Sequence, residues 1–258
     1  MLRETRLHRI QSLVSTLQQV STERLIKELG ISRETARRDI IELEAMGLIR
    51  RVHGGLVALD AQPEPPLTVR AALLAKEKRA IAAAAVRELK SGQTVFIDGG
   101  STTTLLADEL RSMSGLTILT NSLQAALRLS AAEEQETMAH QVILIGGNMQ
   151  PAREQTGGEV AVGEIYRYRA DVAIISPVGI DAKNGASSFL PQEAAIARAM
   201  VSQAERLFIL ADHSKLGITS RVTWALPADI SLLITDVIAD ESPALKALQA
   251  VLPEVILA

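Results

Sequence analysis

The sequence predicts an α/β protein in two parts: an N-terminal winged helix-turn-helix domain and a C-terminal doubly wound, mostly parallel α/β domain. Three observations support this. Residues 1–57 spell three short amphipathic helices and then an extended pair broken by Gly54-Gly55. A stretch holding Pro63, Pro65 and Pro66 follows, where fixed φ angles and missing donors forbid a helix. Beyond residue 76, continuous apolar runs of strand length alternate with amphipathic runs of helix length, as parallel strands covered on both faces require.

Leu2, Ile10, Leu13, Val14 and Leu17 recur at helical spacing and define the first helix. Ser21 caps a second, with Glu23 in its first turn and Gly30 as a left-handed terminator. Ser32 caps a third, which runs to Met46 and stops at Gly47. Residues 48–59 are extended. The expected domains are therefore 1–57, a linker over 58–75, and 76–258. In the last, a helix over 76–89 precedes strands at 94–98, 116–120, 142–145, 172–176, 207–211, 232–235 and 255–257. Helical stretches such as 105–111, 123–129 and 193–204 lie between them.

Composition narrows the function classes. Of 258 residues, 47% are hydrophobic but only 2% aromatic, so Leu, Ile, Val and Ala must fill the core. The absence of cysteine excludes disulfides and Cys-ligated metal. The histidines His8, His53, His140 and His213 have no ligand spacing, so neither metal nor cofactor is expected. A charged start, with no apolar run near the ~20 residues a membrane helix needs, predicts a cytoplasmic protein without a membrane partner. The net charge of −3 is uneven. Residues 1–57 hold ten Lys/Arg against seven Asp/Glu, a balance of +3, which leaves −6 for the rest.

The second helix, the Gly30-Ile31 turn and the third helix have helix-turn-helix spacing. Ile31, Ala36, Ile40 and Leu43 would face the small core. Arg33, Thr35, Arg37 and Arg38 fall in the half of the third helix that enters a major groove, and Arg50, Arg51 and His53 fall on the wing. Arginine bridges guanine edges or neutralises phosphate, and threonine reaches either. Arg37 and Arg38 keep three readings: phosphate clamp, base reader, or internal partner of Asp39 or Glu42. A three-helix bundle docking a protein is the bland alternative; the basic wing and small Ala36 favour double-stranded DNA.

In the second domain, Asp98, Gly99, Gly100, Ser101, Thr102 and Thr103 follow a strand and open a helix. Glycines admit an anion, and free amides with hydroxyls hold its oxygens. The same turn also reads as a plain strand-to-helix connection; it matches neither the dinucleotide nor the Walker pattern. Other strand ends bring Asn121, suited to sugar hydroxyls, Gly147, Asp181 and Lys215, suited to a phosphate charge.

The string Thr35-Ala36-Arg37-Arg38-Asp39-Ile40 with Leu43-Glu44 and Gly47, then Arg51-Val52-His53-Gly54-Gly55, resembles the DeoR family of bacterial regulators. The family usually has Ile at position 36 and Leu at 40; both changes stay apolar. The resemblance extends through the Asp98 loop, where Ser101 stands for a usual Thr, and on to Thr120-Asn121-Ser122, Gly146-Gly147, Gly179-Ile180-Asp181, Glu193, and Asp212 with Lys215-Leu216-Gly217. Residues 186–192 depart from the pattern. Membership implies an effector-sensing domain similar to sugar-phosphate isomerases, a small phosphorylated metabolite as effector, repression, and homo-oligomers, commonly dimers or tetramers.

An active isomerase is the rival reading, since Asp98, Asp181, Glu193 and Asp212 supply carboxylates and His213 an acid–base group. Related isomerases carry neighbouring acids in the segment equivalent to 179–181, where this chain keeps one, so no enzyme activity is expected. A DNA-binding module whose second domain only oligomerises is a third reading; the Gly100–Thr103 loop argues against it.

Overall fold

The computed structural model describes residues 3, 6, 7, 9, 10, 13, 14, 19–46, 48–52, 55–58, 67–130, 140–240 and 242–258. Leu2, Leu17, Gly47, His53, Gly54 and the proline stretch, which the sequence reading used, lie outside the described residues. The chain divides into two compact units, Met1–Pro65 and Pro66–Ala258.

The first unit runs β1 (Gln19–Ser21), α1 (Thr22–Leu29), α2 (Arg33–Ala45), β2 (Ile49–Val52) and β3 (Gly55–Ala58). The side chain of Ser21 accepts from Arg24 N at 3.1 Å, and Gly30 closes α1 at φ 60°. Ser32 caps α2 by accepting from Thr35 N at 3.1 Å. The strands form an antiparallel sheet in the order β1-β3-β2. β1 was not foreseen: three residues are too few to show alternation, and Ser21 serves both as its last residue and as the cap of α1. Its pairing dictates Gly55, where any Cβ would lie 2.5 Å from the Val20 carbonyl oxygen. Ile10, Leu25, Ala36, Ile40, Leu43, Ile49 and Leu56 form the core, with Ile31 packed at its margin.

The second unit opens with α3 (Leu67–Ala72), a helix within the stretch expected to be a linker, and α4 (Ala75–Arg87). Then come β4 (Thr94–Ile97), α5 (Ser101–Glu109), β5 (Leu116–Thr120), α6 (Leu123–Ser130) and β6 (His140–Leu144). A hairpin of β7 (Asn148–Gln150) and β8 (Gln155–Gly157) leads to α7 (Glu159–Ile165) and β9 (Ala170–Ile175). After these follow β10 (Gly179–Asp181), β11 (Gly185–Ser188), α8 (Pro191–Ser202), β12 (Ala204–Leu210) and β13 (Val222–Ala225). The unit closes with β14 (Leu232–Thr235), α9 (Pro243–Gln249) and β15 (Val255–Leu257).

All seven foreseen strands join one sheet in the order β15-β14-β12-β9-β4-β5-β6, and every neighbouring pair is parallel. Successive strand residues point to opposite faces, and both faces are buried. Val95, Ile97, Ile118, Ile174, Phe208 and Ile234 meet Ile81, Ala85, Leu106 and Ala125 of α4, α5 and α6. Phe96, Leu119, Ala173, Ile175, Ile209 and Leu233 meet Ile165, Ala194, Ala197, Met200 and Leu245 from α7, α8 and α9. The chain winds from β4 out to β6, then returns to β9 and winds the other way. The reversal falls between β4 and β9, where a doubly wound sheet leaves a crevice at its carboxyl end. Beyond this sheet lie the β7-β8 hairpin and a three-stranded antiparallel sheet, β10-β11-β13. Among the described residues no helix is long and apolar enough to cross a membrane.

Candidate nucleic-acid interface and ligand crevice

The acids of the first unit decide which arginines of α2 are engaged. Asp39 is buried, and the guanidinium of Arg6 grips both its oxygens, from Nε to Oδ2 and from Nη2 to Oδ1 at 2.9 Å. Glu42 pairs with Arg3 at 2.6 Å. Asp39 and Glu42 are thus held by Arg6 and Arg3, ahead of β1 in the chain, and neither pairs with Arg37 or Arg38 among the described residues. Arg38 lies 3.4 Å from Glu34 and Arg33 3.8 Å from Glu23, both as exposed pairs of the kind worth little. Among the described residues Arg37 has no ion-pair partner, and neither has Arg50 on β2. Thr35 turns its hydroxyl back to Ser32 Oγ at 2.8 Å. Arg51 is tied through Nε to Glu44 Oε2 at 2.6 Å, while its backbone N–H donates to Glu44 Oε1 at 3.0 Å. These bonds hold the carboxyl of Glu44 below the usual carboxylate range, the Arg51 backbone bond contributing most. They also pin the wing to the end of the helix. Arg33, Arg37 and Arg51 share a groove of about 480 Å³ with Thr22, Val52 and Leu56. His53 lies outside the described residues.

In the second unit the foreseen loop sits at the β4/β9 reversal. Gly100 is the N-cap of α5 and has no side chain to cap it. The first helical bond is Thr104 N to Gly100 O at 2.9 Å, so the amides of Ser101, Thr102 and Thr103 have no intrahelical acceptor. Thr104 spends its hydroxyl on the same carbonyl at 2.7 Å, as does Thr103 at 3.1 Å. Thr102 Oγ1 lies 3.5 Å from Ser176 Oγ, just past the end of β9. Lys215 is buried and reaches back from the far side, with Nζ donating to Pro177 O at 2.6 Å and to Ser176 Oγ at 2.9 Å. Gly99 lies so close to Gln155 that a Cβ would be 2.0 Å from its Oε1.

Asp98 follows β4 directly at this reversal, beside Ser176, and is half-buried. Loss of hydration pushes its carboxyl up to about 7. The Ser176 N–H, at 3.4 Å, and the Lys215 charge pull the other way, and Glu193 adds to the rise. Asn121, at the end of β5, donates to Thr156 O at 2.9 Å. The other two foreseen residues hold backbone. Gly147, at φ 143°, would place a Cβ 2.6 Å from Gly157 O. Asp181 accepts from Lys183 N and Asn184 N, each at 2.8 Å, and from Thr219 Oγ1. Burial opposes its ionisation, but these bonds outweigh that and hold it below the usual range.

Sequence reasoning passed over Ser176, Gln155 and Arg153. Ser176 had a signal, as the last residue of a foreseen strand beside Asp98. Arg153 had none, because its partner Glu193 is forty positions away on α8.

Two family models match: a DeoR-like helix-turn-helix domain over residues 6–62 and a DeoR C terminal sensor domain over residues 74–237. The chain is 31% identical over 236 residues to the Glycerol-3-phosphate regulon repressor of Escherichia coli K12, covering 91% of this chain and 92% of the relative. It is 35% identical to the HTH-type transcriptional regulator GlpR of Haloferax volcanii over 92% and 91% of the two chains. Ribose 5-phosphate isomerase A of Methanocaldococcus jannaschii overlays 55% of this chain and 54% of its own, at TM-score 0.38 and 16% identity. That last likeness is too slight to argue from. The two domain matches and the near full-length relatives agree: this chain belongs to the DeoR family of DNA-binding transcriptional regulators.

Proposed function

We propose that the protein is an effector-controlled repressor, in which residues 1–57 read an operator, 76–258 bind a small phosphorylated metabolite, and 58–75 join them. In the reader, Arg33, Thr35, Arg37 and Arg38 enter the major groove, while Arg50, Arg51 and His53 meet the backbone from the wing. Arg37 and Arg50 carry the greatest share because among the described residues no acid pairs with them. Two copies place their α2 helices at half-sites about 34 Å apart or a multiple of it.

The observation that carries the effector half is the meeting of two positive features at the sheet reversal: the uncapped amides of Ser101, Thr102 and Thr103, and the buried ammonium of Lys215. A buried cation linked through Ser176 to a helix N-terminus favours an anion. Asp98 fits beside that anion because its raised carboxyl is readily protonated. The effector shifts operator affinity only by binding the two functional states unequally. The name of the Escherichia coli relative makes glycerol 3-phosphate the first compound to try here.

The test is fluorescence anisotropy on the duplex upstream of the protein's own gene, at one salt concentration, with phosphorylated polyols and sugars titrated in. One compound shifting sequence-specific binding supports the reading. Specific binding that no phosphate ester moves removes the effector half.

A further inference from the structure

We propose that Arg153, positioned by Glu193, reads the end of the effector away from the phosphate, and that this end carries hydroxyls rather than a second anion. This rests on the crevice at the β4/β9 reversal being the effector site, and it adds a residue that neither the motifs nor the comparisons assign.

Three observations support it. First, buried polar atoms of two residues have no hydrogen-bond partner among the described residues: the acceptor Asn121 Oδ1 and, on Arg153, the donors Nη2 and Nε, the latter meeting Glu193 only as an ion pair. Buried polar groups are normally satisfied, so each such atom calls for an occupant. Second, the two residues are held on one ladder. Thr156 N donates to Asn121 O at 2.8 Å, Leu123 N donates to Glu154 O at 2.9 Å, and Ser122 bridges Gln155 between them. The turn connecting β7 to β8 therefore fixes Arg153 against the end of β5, next to the strand that delivers Asp98. Third, Glu193 in the first turn of α8 pairs with Arg153 and also raises the Asp98 carboxyl, so the ion pair shares the electrostatic environment of Asp98.

The charge balance selects the ligand. Glu193 already neutralises Arg153, and both side chains are about 15% exposed. A second phosphate or a carboxylate would meet Glu193 and offer nothing for Asn121 Oδ1 to accept. A hydroxyl does both: it donates to Asn121 Oδ1 and accepts from Arg153 Nη2. The ligand class is thus a phosphate monoester of a polyhydroxy compound, with the ester at α5 and a hydroxyl between Asn121 and Arg153.

Calorimetric titration of the full chain tests this with three probes: glycerol 3-phosphate, propyl phosphate, which has the ester without hydroxyls, and 3-phosphoglycerate, which adds a carboxylate. The parent should bind glycerol 3-phosphate tighter than either of the others. Arg153→Met should weaken glycerol 3-phosphate about ten- to a hundred-fold, the scale of a lost charged hydrogen bond, and leave propyl phosphate unchanged. Arg153→Lys keeps the charge beside Glu193 but loses the fork, so it should show the same selective loss while melting like the parent by Trp224 fluorescence. Equal weakening of both esters would overturn the inference, since Arg153 would then serve the phosphate or the fold. No change in either, or 3-phosphoglycerate binding best to the parent, would overturn it as well. A parent that binds none of the three removes the crevice itself as the effector site and this inference with it.

Discussion

Asp98 gives the sharpest quantitative expectation, because its carboxyl is raised from 3.8 to about 7 in the folded chain. The folded state keeps its proton longer than the unfolded state does. Stability contributed by that proton is fully present below 3.8, is lost as pH rises through the interval, and is gone above about 7. At about 1.4 kcal/mol per unit, the whole interval is worth at most about 4 kcal/mol, and relaxation of the site brings the working figure to roughly 2–4 kcal/mol. Asp98→Asn removes the charge, keeps an oxygen for the Ser176 N–H, and should be more stable than the parent at pH 8. Urea unfolding followed by Trp224, the chain's one tryptophan and buried in the second unit, is the assay. The stability difference between variant and parent should grow by about 1 kcal/mol per pH unit from pH 5 to 7 and then level off. A difference that stays flat over that range, or a variant weaker than the parent at pH 8, would refute the account of Asp98 as a desolvated carboxyl.

Three further outcomes follow from the geometry. Arg37→Ala should weaken operator binding about tenfold and reduce the steepness of its salt dependence by about one counterion per contact in anisotropy titrations, with metabolite binding unchanged. Thr102→Ala combined with Thr103→Ala should leave operator affinity intact while the response to phosphate esters disappears, read by adding glycerol 3-phosphate to the preformed complex. Gly55→Ala forces a Cβ against the Val20 carbonyl oxygen, so it should lower the melting temperature of the first unit and abolish operator binding, while calorimetric binding to the second unit persists.

The great sheet was legible because its strands are continuous apolar runs: Val95-Phe96-Ile97 and Leu207-Phe208-Ile209-Leu210 are buried on both faces. The small sheets were not. Asn148-Met149-Gln150, Gln155-Thr156-Gly157 and Gly185-Ala186-Ser187-Ser188 are short and polar, with no alternation to mark them, and only tertiary pairing makes them strands. Helix starts were misjudged where the cap was weak. Gly100 offers no capping side chain, and α5 begins at Ser101, within the loop foreseen to open a helix and ahead of the amphipathic stretch 105–111. In the same way Pro191 starts α8 two positions ahead of expectation. The glycine loop of the crevice could be recognised because its chemistry is local. Asn121 was legible in the same way at its strand end, but Arg153 was not, because it meets Glu193 only through the folding of the hairpin and α8. The sequence also left the partners of Arg37 and Arg38 open, and Arg6 and Arg3 settle that point by occupying Asp39 and Glu42.

The single reversal of the sheet also divides the crevice by ancestry along the chain. Asp98, the α5 amides, Asn121 and Arg153 come from the half that winds out to β6; Ser176, Glu193 and Lys215 come from the half that winds out to β15. At the crevice these halves meet through the β4–β9 ladder and a few polar bonds, flanked by apolar layers that span both. A molecule held by both is a removable staple across that seam. Its binding free energy should appear as slowed amide exchange in β4 and β9 together, on strands that no part of the ligand need touch.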